Sequence, residues 1–124
     1  MRRTVIALSA AALAVFAGVA LPSTASADDS CPSGHFCVTT DAYYNGYKRA
    51  WSGDDSWWES DVFAKDSSWI NAGITGPGIP SYVRVYPQYF QGGNHTICLA
   101  PNQKVAYSSS ANDWGASHEW DFGC

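Results

Sequence analysis

After residue 27 the sequence has few basic residues and no long hydrophobic run. Arg2 and Arg3 are two of the seven Lys and Arg residues, so from Asp28 onward five basic residues stand against eleven acidic ones and the net charge is −6. Nucleic acids and anionic membranes are bound by basic surfaces. We therefore expect neither as a partner, and we find no segment after residue 27 that is long and apolar enough to span a bilayer.

The sequence also lacks the motifs on which common catalytic and metal sites are built. It has no H-E-x-x-H, G-x-S-x-G or C-x-x-C segment. Its three histidines are far apart along the chain; they are His35, His95 and His118. A glycosidase needs paired carboxylates, and these do occur in one region, which we interpret as a solvated acidic loop containing Asp54, Asp55, Glu59, Asp61 and Asp66. The sequence therefore predicts a protein that binds without catalysis.

The N-terminus has the composition of a secretory signal peptide. Arg2 and Arg3 precede an almost uninterrupted apolar run at residues 5–21, and the small residues at positions 25–27 are typical of a cleavage site. We predict residues 1–27 as the signal peptide and residues 28–124 as one small secreted domain. An uncleaved membrane anchor is the alternative, but the apolar run is short for a bilayer span.

The sequence contains four cysteines, all within the predicted secreted domain: Cys31, Cys37, Cys98 and Cys124. An even number of cysteines in a small secreted domain indicates disulfides. Four cysteines allow three pairings. We favour Cys31–Cys37 with Cys98–Cys124, because Pro32 and Gly34 would help a tight turn to bring the first pair together. His35 within that turn is expected to be an exposed loop residue rather than a ligand.

Short apolar segments bounded by Gly, Pro, Asn, Asp or Ser indicate an all-β domain. In residues 82–86 apolar and polar side chains alternate, which places Val83 and Val85 on one face of a half-buried strand. No segment shows helical periodicity over ten residues, although residues 58–63 could form a single helical turn. We predict strands at residues 36–40, 47–51, 82–86, 95–99 and 103–107.

The two halves of the secreted domain follow the same order of features, which predicts two repeats at about residues 31–76 and 80–124. In each half an aromatic residue is followed two positions later by Gly. We expect this Gly to adopt a positive φ in a hairpin that the aromatic ring covers. The two pairs are Tyr44 with Gly46 and Phe90 with Gly92.

A serine follows each of these hairpins, Ser68 in the first half and Ser117 in the second. A buried hydroxyl group needs a hydrogen-bond partner, so we expect each serine to bond to the backbone of its hairpin. Two such units packed face to face give a two-sheet Greek-key sandwich.

Aromatic residues are frequent, with six Trp and seven Tyr in the sequence. Trp57 and Trp58 are adjacent, so an extended segment points them to opposite faces and leaves one at the surface. Exposed Trp and Tyr beside carboxylates are typical of protein interfaces and of sites that stack on sugar rings. A carbohydrate- or cell-wall-binding module is therefore one functional hypothesis, and rings that only cover the small core are the alternative.

Several of these segments together resemble a known family. They are the C-P-x-G-x-x-C motif at residues 31–37, the aromatic-x-Gly hairpins, Ser67-Ser68-Trp69-Ile70-Asn71, and Asn112-Asp113 followed by Ala116-Ser117. In this combination the sequence is similar to the βγ-crystallin-like secreted proteins of actinobacteria, which are grouped with the microbial metalloproteinase inhibitors. The resemblance covers nearly all of residues 31–124 and implies a single βγ-crystallin-type domain with two disulfides.

The resemblance also implies inhibition of an extracellular peptidase, specifically a metallopeptidase, and we expect a secreted monomer. The inhibitor that defines the family presents its reactive bond on a short loop closed by a second local disulfide. Cys98 has no cysteine a few residues downstream, so we assign no reactive-site residue. The turn at residues 100–103 lies in the corresponding region and is interpreted as an ordinary hairpin turn.

βγ-Crystallin domains often bind calcium through two Asn or Asp residues, two variable residues, then Ser or Thr and Ser. Calcium takes six to eight oxygen ligands. Residues 112–117 match this run except at Ala116, so the resemblance implies a degenerate calcium site at Asn112, Asp113 and Ser117. The alternative is that Asn112 and Asp113 only form a turn. A small calcium-binding structural protein is therefore a further functional hypothesis, and no cofactor other than calcium is expected.

Overall fold

The computed structural model of the chain describes residues 28–124. The predicted signal peptide at residues 1–27 lies outside the described residues. Within residues 28–124, no helix has the length and apolar character needed to cross a membrane.

Seven short strands account for the regular structure, and two single 3₁₀ turns lie at Ala42–Tyr44 and Tyr89–Gln91. The strands are β1 (Phe36–Thr39), β2 (Lys48–Trp51), β3 (Ser68–Asn71), β4 (Tyr82–Tyr86), β5 (Ile97–Leu99), β6 (Lys104–Val105) and β7 (Ser117–Asp121). They form two antiparallel sheets, one in the order β2-β1-β3-β6 and the other in the order β5-β4-β7. The predicted all-β class and two-sheet architecture are confirmed.

Each half of the chain sends one segment across to the other sheet. β6 comes from the second half but pairs with β3, where Trp69 lies opposite Val105. In the opposite direction, Asp55 forms an isolated bridge with His118 of β7, with N–H to C=O hydrogen bonds of 3.2 and 2.9 Å. This crossing is the Greek-key feature of the sandwich. The repeat boundaries at about 31–76 and 80–124 stay a prediction.

The core lies between the two sheets and is built from their alternate residues. Phe36 and Val38 of β1 face Val83 and Val85 of β4, and all four side chains are fully buried. Fully burying a side chain of this size stabilises the fold by about 1.5–3 kcal/mol relative to leaving it exposed. The cluster is completed by Trp58, Val62, Trp69, Leu99 and Ala111.

Five of the seven strands are predicted from the sequence, and two are not. β4 has its predicted bounds, whereas β5 and β6 are shorter than predicted. β3 (Ser-Trp-Ile-Asn) and β7 (Ser-His-Glu-Trp-Asp) are missed because their polar residues resemble loop composition. Ser68, Asn71, Ser117 and His118 are nevertheless fully buried, and each has a hydrogen-bond partner.

The predicted role of the two hairpin serines is confirmed. The Ser68 Oγ accepts the Tyr44 N–H at 3.1 Å, and the Ser117 Oγ accepts the Gln91 N–H at 3.0 Å. Each hydroxyl also donates to a carbonyl of its hairpin, at 2.8 and 2.6 Å respectively. The expected single turn after Trp58 is present too, with the Val62 N–H donating to the Glu59 carbonyl at 3.0 Å.

The predicted glycine conformation is correct in the first hairpin and wrong in the second. Gly46 has a φ of +83°, but in the second hairpin Gly93 has a φ of +82° whereas Gly92 has −86°. The reason is the register of the two hairpins. Phe90 (φ 59°) takes the backbone conformation of Tyr43 (φ 56°), so the equivalent glycine lies three positions after the aromatic residue.

Candidate functional site

The Cys31–Cys37 disulfide closes a tight turn ahead of β1, and Cys98–Cys124 is the second disulfide, as predicted. Within the turn the His35 N–H donates to the Pro32 carbonyl at 3.1 Å. His35 is partly buried rather than exposed as expected, because its own carbonyl pairs with a neighbouring segment. Two disulfides of this kind are consistent with secretion.

The disulfide turn is hydrogen-bonded to the segment that joins the two halves. The Gly34 N–H donates to the Ala72 carbonyl at 2.7 Å, and the Ala72 N–H donates to the His35 carbonyl at 2.9 Å. The connection that begins after Ala72 is called the linker loop below and consists of residues 73–80. The first disulfide therefore fixes the backbone on which the linker loop starts.

Asn71, at the end of β3, holds both ends of the linker loop from inside the fold. Its side chain is fully buried. The Asn71 Oδ1 accepts the Gly73 N–H at 2.8 Å, and the Nδ2 donates to the Ser81 carbonyl at 2.8 Å and to the Leu99 carbonyl at 3.0 Å. Gly73 opens the loop and Ser81 follows it, so one amide side chain closes the loop at its base.

The linker loop is exposed but has a defined conformation. Residues 74–79 are the longest run of exposed residues in the described part of the chain. At its tip the Ile79 N–H donates to the Gly76 carbonyl at 3.1 Å. Gly78 between them has a φ of +73°, which favours glycine.

The base of the linker loop also requires close packing at Gly73. A Cβ atom at this position would lie 2.5 Å from the Trp120 ring, so a larger residue would displace the loop or the ring. Beside the loop is an open depression of about 430 Å³, whose lining includes Ile74, Ile79 and Trp120.

Exposed aromatic rings from both halves meet on the surface. They form the aromatic cluster, which consists of Trp57, Phe63 and Tyr89. The Tyr89 ring centroid lies 5.4 Å from that of Trp57 and 5.1 Å from that of Phe63. Trp57 is 62% exposed and Trp58 is fully buried, which confirms that the two rings point to opposite faces. The cluster lines a depression of about 460 Å³ together with Trp58, Glu59 and Ser60.

The carboxylates of Asp54, Asp55 and Asp61, which follow β2, each contact a different group of the fold. Asp54 and Asp55 accept backbone N–H groups at 2.8 and 3.0 Å, and Asp61 pairs with Arg49 at 3.0 Å. Asp66 is fully buried, so the prediction of a solvated acidic loop is wrong for this residue. Its carboxylate is bonded both by a near neighbour, Trp69, and by the distant Gly115.

Asp66 lies in the interior between β3 and the segment before β7. Its Oδ2 accepts the Trp69 Nε1–H at 2.9 Å, and its Oδ1 accepts the Gly115 N–H at 2.9 Å. Burial raises the pKa of the Asp66 carboxyl to about 6, although both hydrogen bonds favour the ionised form.

His118 is also an interior residue. Its Nε2 lies 2.9 Å from the Gly53 carbonyl, and its ring centroid lies 4.9 Å from that of Phe36 and 4.7 Å from that of Trp51. Within residues 28–124, no group of three or more His, Cys, Asp or Glu lies together as metal ligands would.

Of the predicted calcium ligands, two are already bonded within the fold. The Asn112 Oδ1 accepts the Ser67 hydroxyl at 2.5 Å, and the Ser117 hydroxyl is used in its hairpin. Asp113 is exposed in a turn with a φ of 65°, and its N–H donates to the Asp66 carbonyl at 2.8 Å. Because calcium needs six to eight oxygens, this arrangement would have to change to hold the ion, and the site implied by the resemblance is untested.

The turn at residues 100–103 connects β5 to β6 and packs closely on β3. The Gln103 N–H donates to the Ala100 carbonyl at 3.1 Å, and the Asn102 N–H donates to the Asn71 carbonyl at 2.9 Å. It is an ordinary turn, as predicted, but not a hairpin, because β5 and β6 belong to different sheets.

Sequence reasoning missed the role of Asn71. A signal was present, since Asn71 ends the Ser67–Asn71 motif and only Ala72 separates it from the Gly- and Pro-rich linker loop. A buried amide is costly unless all its polar atoms are paired, so an Asn at this junction indicates a structural hydrogen-bond role.

The comparisons with known proteins agree on fold and family. None of the curated proteins matches the sequence. A solved structure from work on the evolution of the eye-lens βγ-crystallin domain fold is similar over 74% of this chain and 90% of its own, with 18% identity and a TM-score of 0.61. A βγ-crystallin from an archaeon is similar over 72% of this chain and 99% of its own, with 17% identity and a TM-score of 0.56.

A third similar structure is a βγ-crystallin from Ciona intestinalis, with 20% identity, coverage of 70% of this chain and 99% of its own, and a TM-score of 0.55. At these identities the similarity shows the fold alone. The model of peptidase inhibitor family I36 matches residues 24–98. Family and fold favour a non-enzymatic protein, and the actinobacterial source stays a prediction. Since the family model matches more than half of the sequence, this chain belongs to peptidase inhibitor family I36 and has the βγ-crystallin fold.

Proposed function

We propose that the protein is a secreted inhibitor of an extracellular metallopeptidase. The observation that carries the proposal is the match of peptidase inhibitor family I36 over residues 24–98. The signal-like N-terminus and the two disulfides support a role outside the cell. The metallopeptidase class comes from the resemblance of the sequence to the microbial metalloproteinase inhibitors.

The fold supplies what such an inhibitor needs physically. A binding segment that is already ordered loses less conformational entropy when it enters an active site. Here the disulfides and the buried side chains of Asn71, Ser68 and Ser117 hold exposed backbone segments in fixed positions. The protein would then occupy the cleft of the peptidase without taking part in chemistry.

The test is a titration of the purified protein, residues 28–124 with both disulfides formed, into two peptidase assays. One uses a thermolysin-type zinc peptidase and the other a subtilisin-type serine peptidase. We expect stoichiometric slowing of the zinc enzyme. Slowing of the serine enzyme alone would contradict the metallopeptidase target, and activity of both at large molar excess of the protein would contradict inhibition altogether.

A second function, binding of a cell-wall saccharide, is favoured by the aromatic cluster. Its rings are exposed beside the Glu59 carboxylate and the Ser60 hydroxyl, and exposed rings next to hydrogen-bonding groups suit stacking on sugars. Soluble chitin and peptidoglycan fragments should shift the fluorescence of Trp57 if this function is real. A Trp57→Phe variant identifies the responding residue, and an unchanged spectrum in the unmodified protein would contradict the idea.

A further inference from the structure

We propose that the linker loop, residues 73–80, is the segment that enters the peptidase cleft, with Ile74 and Ile79 filling apolar subsites. The inference rests on the proposed function and names the contact surface that this function requires. It is carried by four features of the loop, namely its exposure, its lack of charge, its free backbone groups and the way its base is held.

Ile74 and Ile79 are exposed although they are aliphatic. Their side chains are 61% and 42% exposed, and every other large hydrophobic side chain exposed to this degree in residues 28–124 is aromatic. When a partner covers exposed aliphatic surface, the free energy of the complex is lowered. Two isoleucines placed five positions apart on one loop therefore offer a small bipartite apolar contact.

The linker loop carries no charge in a domain that is otherwise rich in acidic residues. Its sequence is Gly-Ile-Thr-Gly-Pro-Gly-Ile-Pro. Burying an unpaired charge in a cleft is costly, so an uncharged segment can enter a narrow site where the acidic loops cannot. Three glycines keep the loop thin, and a Cβ atom built at Gly78 would meet nothing within 4 Å.

The backbone of the loop is free to bond with a partner. Within residues 28–124, the Ile79 N–H is the one backbone N–H of residues 74–79 that donates to another protein group. Residues 74–79 are exposed, and the N–H groups of Ile74, Thr75, Gly76 and Gly78 donate to no group within the described residues. A peptidase cleft binds its substrates by backbone hydrogen bonds combined with side-chain pockets, and the linker loop presents both kinds of group together.

The base of the loop is closed in a way that keeps it ordered. Asn71 bonds to both ends, and the Cys31–Cys37 turn bonds to Ala72 just before the loop. Pro77 and Pro80 restrict the backbone further. Such preorganisation lowers the entropy cost of binding.

The test measures the inhibition constant of matched variants against the peptidase that the unmodified protein inhibits, beginning with the thermolysin-type enzyme. Ile74→Asp and Ile79→Asp place a charge on the loop, and Trp57→Asp places the same charge on the aromatic cluster. All three positions are exposed, so the folded state should be retained, which a thermal melt verifies. Ile74→Ser and Ile79→Ser replace any Asp variant that melts early.

We expect each Ile→Asp change to raise the inhibition constant by at least about 30-fold, as for a central contact residue. The inhibition constant of the Trp57→Asp variant should stay within about threefold of that of the unmodified protein. Hydrogen exchange of the complex should show protection of the amides in residues 74–79. Inhibition that survives both Ile→Asp changes would overturn the inference and leave the proposed function standing. Failure of the unmodified protein to inhibit any metallopeptidase or serine peptidase would overturn both.

Discussion

The Nε1 of Trp58 lies 3.0 Å from the Nδ1 of His118, and both side chains are fully buried between the sheets. Because the indole nitrogen can only donate, the His118 Nδ1 accepts, and its Nε2–H donates to the Gly53 carbonyl at 2.9 Å. The imidazole is thus held neutral in one tautomer. Burial lowers the pKa of the His118 imidazole to about 4, because removal from water disfavours its charged form.

The stability of the protein should change little between pH 6 and pH 4. His118 has a folded-state pKa below its ordinary value of 6.5, so its contribution is lost as the pH falls through this range. Asp66 has a folded-state pKa of about 6, above its ordinary 3.8, so the folded state takes up a proton there and gains stability over the same range. The two effects oppose each other and nearly cancel.

Asp66→Asn separates these effects. Without the Asp66 titration, nothing opposes the lowered pKa of His118, so the free energy of unfolding should fall by up to about 1.4 kcal/mol per pH unit between pH 6 and pH 4.5. The measurement is urea unfolding at several pH values. The quantity compared is the slope of the free energy of unfolding against pH, and not its absolute value. Equal slopes in the variant and the unmodified protein would contradict the assignment of a raised pKa to Asp66.

Replacement of Asn71 should be severely destabilising. Asn71→Ala leaves the Gly73 N–H and the Ser81 and Leu99 carbonyls without their partner, at a cost of about 1–3 kcal/mol for each group that stays buried. The matched control is Asn45→Ala, whose exposed amide makes one long bond to the Ala42 carbonyl. We expect Asn45→Ala to change the free energy of unfolding by no more than about 0.5 kcal/mol. Both variants are measured by chemical denaturation, and an equally small change for Asn71→Ala would contradict the prediction.

The two disulfides should differ in what they support. The Cys98–Cys124 bond spans 26 residues and the Cys31–Cys37 bond spans six, so the chain-entropy model assigns them about 3.5 and 2 kcal/mol of stability. Paired Cys→Ser variants of the longer bridge should therefore melt earlier. The shorter bridge holds the base of the linker loop, so its removal should weaken inhibition more. If loss of the same bridge had the larger effect both on the melting temperature and on inhibition, this division of roles would be contradicted.

Calcium should have little effect on the melting temperature. A ligand that binds only the folded state must raise it, but the Asn112 and Ser117 side chains are engaged in bonds of the fold. Differential scanning calorimetry with calcium and with chelator gives the answer. A rise that Asp113→Ala abolishes would show that residues 112–117 rearrange into a site.

The sequence by itself determined the β class and the role of the hairpin serines, and it favoured the disulfide pairing that the structure has. Short apolar segments between turn residues form strands, cysteines six apart can close a turn, and a serine recurs at the matching position after the hairpin of each half. The C-P-x-G-x-x-C motif and its companions also identified the family. Each of these signals is a pattern of residue types along the chain, although the contact it predicts can be long-range, as between Ser68 and Tyr44, which are 24 positions apart.

Only the tertiary structure decided the contacts between distant segments. β3 and β7 have loop-like composition, and their polar residues become strand residues because partners from the other half satisfy them: Asn71 with the Ser81 and Leu99 carbonyls, and His118 with Trp58. The position of the positive φ at Gly93 was decided by hairpin register in the same way. Such pairings depend on which surfaces meet when the two sheets pack, and a linear pattern carries no record of that geometry.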